Sequence, residues 1–89
     1  MVIFIFTEKG KETLRSFGSE DQERILKKLE VLKQHPDIFS VLIHLHNLPP
    51  ATHRLRVGPF RLLLRLDSQE KSKTTFRVMK VGNRKNIYL

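Results

Sequence analysis

Four arginines between His53 and Asp67 stand where a single β-hairpin would gather them on one surface: Arg54, Arg56, Arg61 and Arg65. A guanidinium is planar and permanently charged, and its fork of N–H donors matches two oxygens of a phosphate at once. Gly58-Pro59 between them suits a two-residue hairpin turn, because glycine accepts a positive φ at the first central position and proline's φ of about −65° fits the second. Such a turn sets Val57 opposite Phe60, Arg56 opposite Arg61, Leu55 opposite Leu62 and Arg54 opposite Leu63. By the period of two, Leu55, Val57, Phe60, Leu62, Leu64 and Leu66 share one face and the four arginines share the other. One face is then core and the other cationic. Like charges directly across a strand pair, as Arg56 and Arg61 would be, cost about a few tenths of a kcal/mol, which a bound polyanion would relieve. Any one of these arginines is accounted for by splaying into water over a half-exposed sheet, whereas the set of four points to a ligand.

The net charge of +8 is unevenly placed. Residues 1–50 hold seven Lys or Arg against seven Asp or Glu, while residues 51–89 hold ten against Asp67 and Glu70 alone. A last strand adds Arg77, and Lys80, Arg84 and Lys85 extend the excess towards the C-terminus. A concentrated field of one sign raises the local concentration of polyanions, and nucleic acid is the commonest of these. Exposed aromatics for base stacking are missing from the pattern, because Phe60 and Phe76 fall on the core side, which argues against a plain RNA-recognition sheet. His44 and His46 are two apart and would face the same way on a strand. No third ligand of suitable type is placed near them, so edge-strand histidines and no metal are expected. Gly-rich phosphate loops, dinucleotide fingerprints and nucleophile–base pairs of recognisable spacing are all absent.

The elements that must position these residues are legible in outline. Val2 to Phe6 is a β-branched and aromatic run without polar alternation, which predicts a strand buried on both faces or near the sheet centre. Thr7 offers an N-cap for a helix over Glu8 to Phe17, with Gly18 as its left-handed stop. Ser19 and Gln22 have capping-box spacing before a second helix, whose Ile25, Leu26, Leu29 and Leu32 form one stripe, and His35-Pro36 ends it. Residues 37–52 predict a short helical turn and then an irregular or edge strand around Ile43 to Leu48, closed by Pro49-Pro50. After the hairpin come a polar loop, Asp67 to Lys73, a strand from about Thr74 to Val81, and a turn at Gly82-Asn83. Residues 1–89 are read as a single α+β domain: an N-terminal strand, an antiparallel helical hairpin, then a three- to four-stranded antiparallel sheet. With no cysteine, no signal-peptide pattern and no apolar run near the ~20 residues of a membrane span, a cytoplasmic protein without a membrane partner is expected.

The string Arg54-Leu-Arg-Val-Gly-Pro-Phe-Arg-Leu-Leu-Leu-Arg-Leu-Asp67, followed by Val81-Gly-Asn-Arg-Lys-Asn-Ile-Tyr88, resembles the signature of RelE-type toxins of the RelE/ParE superfamily. In that family a basic Arg-x-Arg-x-Gly-x-(Tyr/Phe)-Arg hairpin precedes (Val/Ile)-Gly-x-Arg-x-x-(Ile/Val)-Tyr. The resemblance implies the toxin of a type II toxin–antitoxin system, a metal-independent endoribonuclease that cleaves mRNA in the ribosomal A site and is silenced by an acidic, RelB-like antitoxin. No small-molecule cofactor is implied. Carried over by position, Arg54, Arg61, Arg84 and Tyr88 take the catalytic places, with Arg56, Arg65, Arg77, Lys80 and Lys85 as RNA-binding cations. The implied reaction is attack of a ribose 2′-hydroxyl on the adjacent phosphate. Arg61 and Arg84 would stabilise the developing charge, and Tyr88 would take the proton if surrounding cations favour its phenolate. The chain departs from the family at Thr52, where well-known members carry a lysine, and at Asn83 and Arg84, where others carry a glutamate–histidine pair. The competing readings are a ParE-like gyrase inhibitor and a non-catalytic nucleic-acid-binding homologue.

Overall fold

A computed structural model describes residues 1–85 and 87. Strand β1 (Val2–Phe6) leads into helices α1 (Glu8–Arg15) and α2 (Ser19–Leu32), a 3-10 turn (Ile38–Val41) and the short strand β2 (Leu42–His44). Strands β3 (His53–Val57), β4 (Phe60–Gln69) and β5 (Thr74–Asn83) follow. They form one five-stranded sheet in the order β1-β5-β4-β3-β2, in which β1 runs parallel to β5 and every other pair is antiparallel. The arrangement is the α+β fold expected from the sequence.

The hairpin behaves as its turn dictates. Gly58 has a φ of 57°, and the register pairs Val57 with Phe60, Arg56 with Arg61, Leu55 with Leu62 and Arg54 with Leu63. Both helices lie on the face that carries Leu55, Val57, Phe60, Leu62 and Leu64, and Leu14, Ile25, Leu29 and Leu32 close the core against them. Ile25, Leu62, Leu64, Phe76 and Val78 are fully enclosed, each stabilising the fold by about 1.5–3 kcal/mol relative to exposure.

Five local expectations are corrected. Strand β1 sits at the sheet edge rather than its centre, with Val2 buried and Ile5 40% exposed. Its apolar run still alternates in space, because Phe4 and Phe6 pack against the core, Phe4 lying 6.0 Å from Phe76, while Ile5 turns outward. Gly18 is not a left-handed stop: its φ of −63° and ψ of 160° make it the extended N-cap of α2. Ser19 therefore lies inside the helix and forms no capping box, and Gln22 Nε2 instead donates to the Phe17 carbonyl at 2.8 Å. Finally, β4 runs on to Gln69, through Asp67 and Ser68 at the start of the expected polar loop, and β2 ends at His44, well short of Leu48.

Thr7 caps α1 as its sequence position suggests, accepting from Gly10 N–H at 3.0 Å and donating to the Val78 carbonyl at 3.2 Å. Gly10 is required there, since a Cβ would collide with that same Val78 carbonyl. The contact seats α1 directly on the backbone of β5.

Candidate functional site

The sheet face turned away from the helices carries the arginines, but it is not uniformly cationic. Leu63 lies between Arg61 and Arg65 and is only 7% exposed. It centres a second apolar cluster with Ala51 and Ile87, packed by Leu45, Leu48 and Met79. The three consecutive leucines at 62–64 were the sequence signal for it: in a strand one of the three must face away from the main core. This cluster gives the face a greasy centre and divides its cations into two groups.

At one end Arg65 stands opposite Arg77, the like-charge arrangement that a sheet resists. A register shift between Leu66 and Ser68 sets Asp67 beside both, where its Oδ1 accepts from Arg65 Nη2 at 3.4 Å and from Arg77 Nε at 3.2 Å. The β-bulge re-aims one side chain, and a pair of cations becomes a triad of net charge +1. Sequence reasoning counted Asp67 among loop residues and missed this role.

At the other end the two motifs of the sequence meet. Arg61 Nη1 donates to the carbonyls of Gly58 and Phe60, each at 3.1 Å, and the main-chain N–H of Arg84 donates to the Pro59 carbonyl at 3.1 Å. Three consecutive turn carbonyls are thus engaged by two arginines that are far apart in the chain. The turn bearing Arg84 is closed by Asn83, whose Oδ1 accepts from Lys85 N–H at 3.0 Å and whose carbonyl accepts from Ile87 N–H at 3.1 Å. Gly82 allows it to fold so tightly, since a Cβ there would stand 2.8 Å from Ile87 Cδ1. Asn83 therefore has a structural duty in this turn. Arg84 and Lys85 are exposed, Arg61, Arg54 and Lys80 are half-buried, and Lys80 pairs across from Leu63.

The remaining expected site residues separate. Arg56 faces Arg61 in the register but lines the sheet edge beside α2. Tyr88 lies outside the described residues. Thr52 spends its hydroxyl on the framework: Oγ1 accepts from Leu66 N–H at 2.8 Å and lies 2.9 Å from His53 Nδ1. Its side chain stitches the start of β3 to β4, a task a lysine could not perform.

The histidines gather at the β2–β3 edge. The rings of His44 and His46 lie 4.5 Å apart and those of His44 and His53 5.0 Å apart, with His53 wedged against Phe39 and Phe76. Burial, and secondarily the neighbouring His44, lower the pKa of His53 below its usual value. Among the described residues no group of three or more His, Cys, Asp or Glu is arranged to hold a metal ion, and no helix is long and apolar enough to cross a membrane.

Several solved structures share this architecture. A chain of the RelBE2 toxin–antitoxin complex from Mycobacterium tuberculosis superposes with a TM-score of 0.73 at 22% identity, covering 92% of this chain and 96% of its own. The archaeal RelE–RelB complex from Pyrococcus horikoshii OT3 gives 0.67 at 17% identity, with coverages of 96% and 97%. An arginine-to-alanine double mutant of E. coli toxin RelE in the free state gives 0.61 at 25% identity, with coverages of 93% and 83%. No protein-family model matches the chain, and no curated protein matches it in sequence.

Proposed function

We propose that this chain, which has the fold of RelE toxins, is the toxin of a type II toxin–antitoxin pair and a metal-independent endoribonuclease that cuts mRNA in the ribosomal A site. The observation that carries the reading is the meeting of Arg61 and Arg84 at the hairpin turn. The Arg61 guanidinium sits on the turn carbonyls and the Arg84 main chain is tied to the same turn, so two cations from separate elements are available to one scissile phosphate.

In the proposed reaction the ribose 2′-oxygen forms a bond to phosphorus as the bond to the 5′-oxygen breaks. The products are a 2′,3′-cyclic phosphate and a 5′-hydroxyl. Arg54, Arg61 and Arg84 neutralise charge on the non-bridging oxygens, and Tyr88 accepts the 2′-hydroxyl proton. Arg56, Arg65, Arg77, Lys80 and Lys85 hold flanking phosphates, and these contacts dominate affinity. In the cytoplasm an acidic antitoxin would compete for the same field. The free chain alone, in this reading, is toxic to the cell that makes it.

The test is to add the purified chain to ribosomes translating a defined message and to map the new RNA ends. Cuts at A-site codons leaving a cyclic phosphate are expected, and a 2′-deoxyribose at the scissile position should abolish them. Binding to ribosomes without any cut would assign the chain to non-catalytic homologues instead.

A further inference from the structure

The apolar cluster on the arginine face is open to one side. Residues 48–51 form a tight turn in which the Ala51 N–H donates to the Leu48 carbonyl at 3.0 Å. Two neighbouring bonds clamp that turn to the sheet, Leu45 N–H to the Thr52 carbonyl and Thr52 N–H to the Leu64 carbonyl, both at 2.8 Å. Between the turn, with its Pro49-Pro50, and the side chains of Leu63, Met79 and Ile87 lies a cleft of about 240 Å³. Successive residues of a strand normally point to opposite faces. The register shift between Leu63 and Leu64 suspends that rule on β5, so that Met79 and Lys80 line the same cleft. A polarizable apolar side chain and a cation thus stand side by side.

Along β4, Arg61, Leu63 and Arg65 follow one another at every second residue, in steps of about 6.8 Å. Such a step is twice the spacing of roughly 3.4 Å between stacked nucleotides. An RNA strand with phosphates on Arg61 and Arg65 is therefore stretched and unstacked over Leu63, and a base freed from its neighbours needs another surface. Aromatic side chains are the usual platform, but all six phenylalanines pack on the helix side of the sheet. The cleft beside Leu63 offers an apolar surface in their place.

We propose that this cleft receives one nucleobase of the bound RNA, inserted between the prolines and the side chains of Leu63, Met79 and Ile87, while Lys80 takes the phosphate of the same nucleotide. The inference rests on the RNA-cleaving reading and adds to it a subsite through which binding depends on a base as well as on phosphates. Charge selects the occupant. Arg54 and Lys80 flank Leu63 across the sheet as Arg61 and Arg65 flank it along the strand, and an apolar cleft ringed by cations matches a ligand in which flat rings alternate with anions. A purine covers more of its wall than a pyrimidine does.

The test uses the full chain with carbon-13 in its leucine, isoleucine and methionine methyl groups, and two uncleavable probes: a 2′-O-methylated adenosine pentamer and the same backbone without bases. The adenosine probe should shift the Leu63, Met79 and Ile87 methyl signals by ring current and bind about tenfold or more tightly than the abasic backbone. A uridine pentamer should fall between them. Ala51→Leu, which fills the cleft, and Met79→Ala, which strips one wall, should each bring adenosine affinity down towards the abasic value and leave the abasic value unchanged. Met79 is only half-buried, so its variant keeps the test decisive if the filled cleft unfolds the chain. Equal affinity for the adenosine and abasic probes, or methyl signals unmoved by bound adenosine, would overturn the proposal. So would the same methyl shifts produced by a peptide of leucines and glutamates and not by RNA, which would make the cleft a protein-docking surface. Base-dependent binding in the cleft with no cut in translating ribosomes keeps the subsite and removes the nuclease reading. Cuts that continue unaltered in both variants, with base-independent binding, remove the subsite alone.

Discussion

The main-chain N–H of Arg84 is bonded to the carbonyl of Pro59 at 3.1 Å, so the C-terminal arginine is held to the hairpin turn by its backbone and not by its charge. Arg84→Ala should accordingly keep the turn and the fold. It should lower cleavage strongly and reduce the slope of log affinity for RNA against log salt by about 0.7 to 0.9, the contribution of one phosphate contact. An unchanged salt slope would place Arg84 off the RNA path.

Leu62 and Arg61 are sequence neighbours on opposite faces, and their substitutions separate stability from function. Leu62 is fully buried, so Leu62→Ala should cost about 2–5 kcal/mol in urea unfolding. Arg61→Ala removes hydrogen bonds to Gly58 and Phe60 at an accessible site and should cost about 1 kcal/mol or less. Its effect on cleavage should be far larger than that of Leu62→Ala measured where both variants are folded.

Asp67 accepts from both Arg65 and Arg77 and thereby restrains their field. Asp67→Asn keeps the shape and removes the charge. RNA should bind more tightly at low salt by about threefold to tenfold, and the gain should vanish at high salt as screening takes over. Weaker binding would show that Asp67 positions these arginines for RNA rather than competing with it.

Tyr88→Phe should leave RNA and ribosome binding intact and slow cleavage by about 10²-fold or more, as removal of a general base does. Equal rates in the two proteins, measured by single turnover, would withdraw the base role from Tyr88.

The lowered pKa of His53 makes stability depend on pH. The unfolded chain takes up a proton near the ordinary histidine pKa of about 6.5, whereas the folded chain resists protonation until lower pH. Stability from this residue is therefore complete above that value and is lost as pH falls towards the folded pKa. The urea midpoint should drop between neutral and mildly acidic pH, and His53→Phe should flatten that drop.

Legibility in the sequence followed the range of the interaction. The hairpin register could be read in full because a two-residue turn leaves no freedom, and Thr7 could be read as a cap because its partner is three residues away. Edge position is different: nothing within Val2 to Phe6 says that its neighbour is β5 on one side and nothing on the other. The second apolar cluster left a signal in the leucine triplet at 62–64, but the Asp67 triad was hidden for a related reason. It depends on the bulge that shifts β4 against β5 between Leu66 and Ser68, and a bulge is a property of a strand pair. The arginine and tyrosine of the second motif became candidates only by resemblance, since their spacing alone does not bring Arg84 to Pro59.

The parallel pairing of β1 with β5 also governs the order in which the molecule can assemble. The two strands meet through pairs such as Val2 with Thr74 and Phe6 with Val78, far apart in the chain. During vectorial synthesis β1 leaves the ribosome first, yet its sheet neighbour is made last. Until then Phe4 and Phe6 have no strand beside them, α1 has no β5 backbone to rest on, and the loop-closure entropy of the longest contact is still to be met. The helices can form from local contacts, whereas the sheet closes only when β5 is available, and that closure also brings Arg84 to the hairpin. The contact of Arg84 with Pro59 therefore waits until β5 has been made and paired.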